Sequence, residues 1–76
     1  MAEDFSFEII KNVGTISEGK GGWAVELNLV SLGGRAPKYD LRSWAPDHKK
    51  MGKGITLSKD ELESLKDLLT NLEIEE

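Results

Sequence analysis

The sequence predicts an α+β fold, a four-stranded antiparallel meander followed by one C-terminal α-helix. Three observations predict it. Four short segments carry the β-branched, aromatic and leucine residues that suit a pleated surface. Glycine-bearing turns separate the first three, and the four follow one another as a meander. Only after Leu57 does the apolar spacing change from a strand period to a helical one.

The first strand is expected over Phe5 to Ile16, with FEII and VGTI, and irregular near Gly14. Ser17 to Gly22, SEGKGG, reads as a turn or flexible loop. Trp23 to Leu32 is the second strand. By parity Trp23, Val25, Leu27 and Leu29 share one face, while Val30 and Leu32 fall on the other. A bulge or a change of burial is therefore expected near Val30. GGRAP, Gly33 to Pro37, is a hairpin connection.

The third strand is Lys38 to Trp44, KYDLRSW. Tyr39, Leu41 and Ser43 make an ordinary core face. Lys38, Asp40, Arg42 and Trp44 point the other way, which sets a tryptophan among cations on the expected solvent side. Ala45 to Gly54 is a long polar loop, and GITL, Gly54 to Leu57, a short fourth strand. Ser58 and Glu61 then fit a capping box, with Asp60 and Glu61 where a helix start favours negative charge. Leu62, Leu65, Leu68, Leu69 and Leu72 follow at helical spacing, so the helix is expected from about Lys59 to about Asn71. Residues 73–76 form an acidic tail, expected to fray.

At 76 residues the chain is one domain. A chain this short buries only about 60% of its unfolded surface. It has no cysteine, hence no disulfide and no thiolate metal site, and a single histidine, His48. No metal or other cofactor is expected. Oligomerisation is the remaining way to enlarge the core. The leucine stripe is wide for a helix that covers only its own sheet. It is either intramolecular core or, as the small size favours, the seam of a symmetric homodimer formed by Leu62, Leu65, Leu68, Leu69 and Leu72. MAEDFSFEII lacks a basic n-region and a long apolar run, and no stretch approaches a membrane span. A cytoplasmic protein without a membrane partner is expected.

The net charge of −4 hides an uneven distribution. Residues 1–19 carry −3, residues 20–59 carry +5 and residues 60–76 carry −6. Such asymmetry suits a basic working surface with acidic parts elsewhere. Catalysis finds little support. His48 sits in a charged loop beside Asp47, and nothing in the sequence gathers it, Asp40 and Asp47 into a pocket. MGKG, Met51 to Gly54, does not fit a phosphate-binding loop.

Binding fits better. A single-stranded nucleic acid needs cations along its backbone and flat rings for its bases. Lys38, Arg42 and Trp44 supply both at alternate positions of one strand. Lys49, Lys50 and Lys53 follow, and Lys20, Trp23 and Arg35 flank the neighbouring hairpin. Trp23 also has the parity of a core residue. A duplex reader more often presents a basic helix, and this helix is acidic.

The run KYDLRSWAPDHKKMGKGITLSKDELESL resembles the C-terminal domain of the positive cofactor 4 transcriptional coactivators, most closely their small bacterial relatives. Asp40, Leu41, Arg42 and Trp44 match the first part of the family pattern. Gly52, Lys53, Gly54, Ile55, Thr56 and Leu57 match the second, and Ser58 to Leu72 match the helix. The resemblance implies a four-stranded curved antiparallel sheet followed by a helix, a homodimer through the helices, and single-stranded DNA on the exposed sheet surfaces, with Arg42, Trp44 and Lys53 as contacts. Leu32 departs from the pattern, since family members tend to carry an aromatic near that position. The long regulatory arm of the eukaryotic coactivators is absent from the sequence, so their type of activator role does not transfer. The expectation is sequence-tolerant binding of single-stranded DNA, in transcription, replication or repair. Single-stranded RNA binding, or a protein-interaction module using the open sheet, stands as the alternative.

Overall fold

The computed structural model describes residues 7–75. Strands β1 (Phe7–Glu18), β2 (Ala24–Leu32), β3 (Lys38–Trp44) and β4 (Met51–Leu57) form one antiparallel sheet in sequence order, followed by helix α1 (Lys59–Thr70). Phe5 and Ser6, expected in the first strand, lie outside the described residues. β2 starts one residue later than expected, at Ala24, and two boundaries differ by more. β1 continues through Ser17 and Glu18, which pair with Val25 and Ala24, so the turn shrinks to a 3-10 turn at Lys20–Gly22. Gly21 and Gly22 there take φ of 69° and 81°, a region that costs glycine little. β4 begins at Met51, not Gly54, because Met51 pairs with Trp44 and leaves only a six-residue loop, 45–50.

The register sorts side chains onto two faces. On one lie Leu27, Leu41 and Ile55, and α1 sits on this side against β3 and β4; this is the helix face. On the far face lie Glu26, Asn28 and Val30 of β2, with Lys38, Asp40, Arg42 and Trp44 of β3. The parity expected for KYDLRSW is thus observed.

β1 carries three register shifts against β2, between Ile9 and Lys11, Asn12 and Gly14, and Thr15 and Ser17. Each inserts one extra residue, and the extra residues are Ile10, Val13 and Ile16, all exposed. Bulges bend a strand and increase its twist. They also spoil an edge for pairing with another chain. No bulge interrupts β2 against β3. Both features expected near Val30 occur: Val30 is 2% exposed on the far face, and the β1 bulge at Ile10 lies opposite the Val30–Leu29 step.

Helix α1 starts on the expected capping box. Ser58 Oγ accepts from the Glu61 amide at 3.1 Å, and Glu61 Oε1 accepts from the Ser58 amide at 2.8 Å. Leu62 and Leu65 turn to the sheet, while Leu68, Leu69 and Leu72 are exposed. No side chain of α1 is fully buried. Between helix and sheet runs an apolar groove of about 470 Å³, lined by leucines and Ile16.

The most buried side chains therefore lie on the far face, away from the helix. Trp44 is 1% exposed, Asn28 0% and Asp40 2%. The expectation that Trp44 stands on the solvent side is corrected here. Phe7, brought over by the curl of β1, and His48, from loop 45–50, close on its indole with ring centroids at 5.2 and 5.4 Å.

Candidate nucleic-acid interface

The far face is shaped at both ends by tight backbone. At one end Gly33 and Gly34 turn the β2–β3 hairpin with φ of 61° and 77°. Ser31 Oγ donates to the Arg35 carbonyl at 2.7 Å, which fixes the hairpin's return. Arg35 and Lys38 then line a cleft of about 440 Å³ with Val30, Leu32, Ala36 and Thr56. Two exposed cations beside an apolar floor can take a phosphate and the flat base next to it.

In the middle stands Arg42. Its Nε donates to both carboxylate oxygens of Asp40, at 2.9 and 2.7 Å. Asp40 Oδ1 also accepts from Thr56 Oγ1 at 3.2 Å. The carboxylate is buried and must be paired to be tolerated there. Arg42 Nη1 reaches only Met51 Sδ at 3.3 Å and the Gly52 carbonyl at 3.4 Å. The guanidinium is anchored along its inner side and weakly held at its outer edge, which suits a second acceptor such as phosphate. Gly54 makes this geometry feasible: a Cβ there would strike Arg42 Cβ and the Leu41 carbonyl.

At the other end, loop 45–50 is pinned by Ala45 N–H donating to the Lys50 carbonyl at 3.0 Å and His48 N–H to the Ala45 carbonyl at 2.9 Å. His48 takes φ 59°, turning its ring onto Trp44 and its Nε2 to within 3.0 Å of both Glu26 carboxylate oxygens. Glu26 also accepts from Asn28 Nδ2 at 3.1 Å, and Asn28 Oδ1 accepts from Asn12 Nδ2 at 2.7 Å. These side chains, with Ile9 and Thr15, line a second cleft of about 300 Å³. The Trp44 Nε1–H has no partner among the described residues, so packing alone holds the ring.

The structure thus brings Arg35, Lys38 and Arg42 together along one face. Trp44 is buried beside Arg42, at the opposite end of β3 from Lys38, and is not an exposed platform. Lys49 and Lys50 are exposed on the pinned loop beside His48. Lys20 is exposed in the 3-10 turn, whose Gly22 abuts Pro46 of that loop. Lys53 is exposed at a β4 bulge, where Gly52 and Lys53 oppose Ser43 alone. Trp23 is not brought to this group. It lies by Gly52 and Ser43, on the helix side of the sheet.

The sequence does not show that Phe7, Asn12, Glu26, Asn28 and His48 gather on this face. The alternation of Glu26, Asn28 and Val30 was the available signal, since a polar even parity in β2 marks a face other than the leucine one. Their partners come from β1 and from loop 45–50, and no local spacing reveals that. Among the described residues no group of His, Cys, Asp and Glu is placed to hold a metal ion, and no helix is long and apolar enough to cross a membrane.

A curled antiparallel sheet with a terminal helix on one face and a cation-bearing cleft on the other defines a small α+β domain. The family described as Transcriptional Coactivator p15 (PC4) matches residues 20–68, more than half of the chain, and the protein belongs to that family. An uncharacterized protein of Treponema pallidum (strain Nichols) is 45% identical over 73 residues, covering 96% of this chain and 86% of that protein. Family membership supports a nucleic-acid-binding, transcription-related role.

Proposed function

We propose that the protein is a cytoplasmic homodimer that binds single-stranded DNA on the far face of each sheet, without base-edge specificity, in transcription regulation or in DNA replication or repair. The alignment of Arg35, Lys38 and Arg42 along one cleft-bearing face carries this reading. Phosphates run past the cations and bases lie on the apolar floor. Lys20, Lys49, Lys50 and Lys53 extend the positive field that draws a strand in.

The dimer is supported by the unfinished helix face. Leu68 is 70% exposed, Leu69 55% and Leu72 56%, beside an apolar groove. A second copy's helix, laid against the same surface by two-fold symmetry, would cover them. Two linked faces would then bind one looped strand with a gain in avidity. The reading involves no catalytic step and no cofactor.

Fluorescence anisotropy of a labelled thymidine 20-mer at two salt concentrations, with duplex and matched RNA as competitors, tests the function. Single-stranded DNA should win, and log affinity should fall against log salt by about 0.7 per phosphate contact. RNA binding equally well would move the assignment to single-stranded nucleic acid in general. No binding at low salt would leave a peptide-docking role for the sheet.

A further inference from the structure

We infer that bases stack on Phe7 and His48, the two rings that pack against Trp44, and not on Trp44 itself. This deepens the proposed single-strand binding and rests on it. The starting point is accessibility. A base needs a ring face it can reach, and Trp44 is 1% exposed. Trp23 and Tyr39 lie on the helix side of the sheet. Among the described residues of the far face, Phe7 and His48 are the other aromatic rings, and both are partly exposed; the His48 side chain is 41% exposed.

Both rings are held in place before any ligand arrives. Phe7 is fixed through strand pairing opposite Leu32 and by its tilt of 53° against Trp44. His48 is fixed by Nε2 on the Glu26 carboxylate, by the pinned loop and by its tilt of 39° against Trp44. Rigid rings lose little entropy when a base lands on them. Cations flank both: Arg42 shares a cleft with Phe7, and Lys49 and Lys50 follow His48. The occupant this fits is a single strand, whose charge complements Arg35, Lys38 and Arg42 and whose bases are free to unstack. Trp44 becomes the buried support that sets the spacing of the two platforms.

The test is the anisotropy titration with the thymidine 20-mer at several salt concentrations, on the full chain and on Phe7→Leu, Phe7→Tyr, His48→Ala and His48→Phe, with a thermal melt of each. Phe7→Leu and His48→Ala should each weaken binding about 5- to 100-fold while leaving the salt slope unchanged, because a stacked ring neutralises no phosphate. Phe7→Tyr and His48→Phe keep a ring and should stay within a few-fold of the parent. These ring-keeping variants separate stacking from a folding defect. The inference is overturned if the parent binds and Phe7→Leu and His48→Ala, still folded, bind equally well; the functional reading then survives. Failure of the parent to bind overturns both.

Discussion

Phe7 and Trp44 have ring centroids 5.2 Å apart, yet the strand register sets them at opposite ends of β2. Phe7 pairs with Leu32, and Trp44 with Ala24, eight residues away along that strand. A straight strand of that length spans about 26 Å at roughly 3.3 Å per residue. Two side chains cannot bridge this, so the sheet must curl. The three bulges of β1 supply the bend, and the ring contact fastens it.

Removing the indole should be costly. Trp44→Ala is expected to destabilise the fold by about 3–5 kcal/mol in denaturant titrations, as large aromatic truncations in cores do. In a double-mutant cycle with Phe7→Ala, the coupling between the two rings should be about 0.5–1.5 kcal/mol. A coupling of zero would mean that the curl does not depend on the pair.

Arg42 should matter to stability as well as to binding. Arg42→Gln leaves the buried Asp40 carboxylate without its cation, an expected loss of about 2–4 kcal/mol. Adding Asp40→Asn removes the stranded charge, so the double variant should be more stable than Arg42→Gln alone. Chemical denaturation of the three proteins checks the order.

Gly54→Ala should weaken the β3–β4 ladder, because its methyl would meet Arg42 and the Leu41 carbonyl. Strand backbone must separate to admit it. We expect a loss of at least about 2 kcal/mol, in the range of overpacked sites, together with faster amide exchange at Leu41 and Ile55. A variant as stable as the parent would contradict the close approach.

Charging the exposed leucines should divide the dimer without unfolding the protomer. Leu68→Glu combined with Leu69→Glu places two carboxylates on a surface that the single chain already leaves open. Light scattering should report a dimer for the parent and a monomer for the variant, and the strand affinity of the variant should fall with the lost avidity. A parent that is monomeric at micromolar concentration would refute the dimer.

Much of the fold was legible because it rests on local signals. The period-two pattern of KYDLRSW gave its two faces, and Ser58 with Glu61 marked the helix start. The leucine spacing showed the helix but not its partners. Only packing separates Leu62 and Leu65, against the sheet, from Leu68, Leu69 and Leu72, which stay exposed. The site was legible in its cations and not in its depth. Alternation puts Arg42 and Trp44 on one side of β3, but it cannot say what lies above them. That depended on bulges at Ile10, Val13 and Ile16, of which only the one beside Gly14 was signalled, and on a positive φ at His48, which has no strong local signature. The burial of Trp44 is a consequence of the curl and so belongs to the whole sheet.

The central claim is that nucleic acid occupies the far face. Methyl NMR of the labelled protein, titrated with a thymidine 20-mer, tests it most directly. Ile9, Val30 and Leu32 report the far face, and Leu27, Leu41 and Leu57 the helix face. The account predicts saturable shifts in the first set, with the second set nearly still. Shifts confined to Leu27, Leu41 and Leu57 would put the strand on the helix face and contradict it.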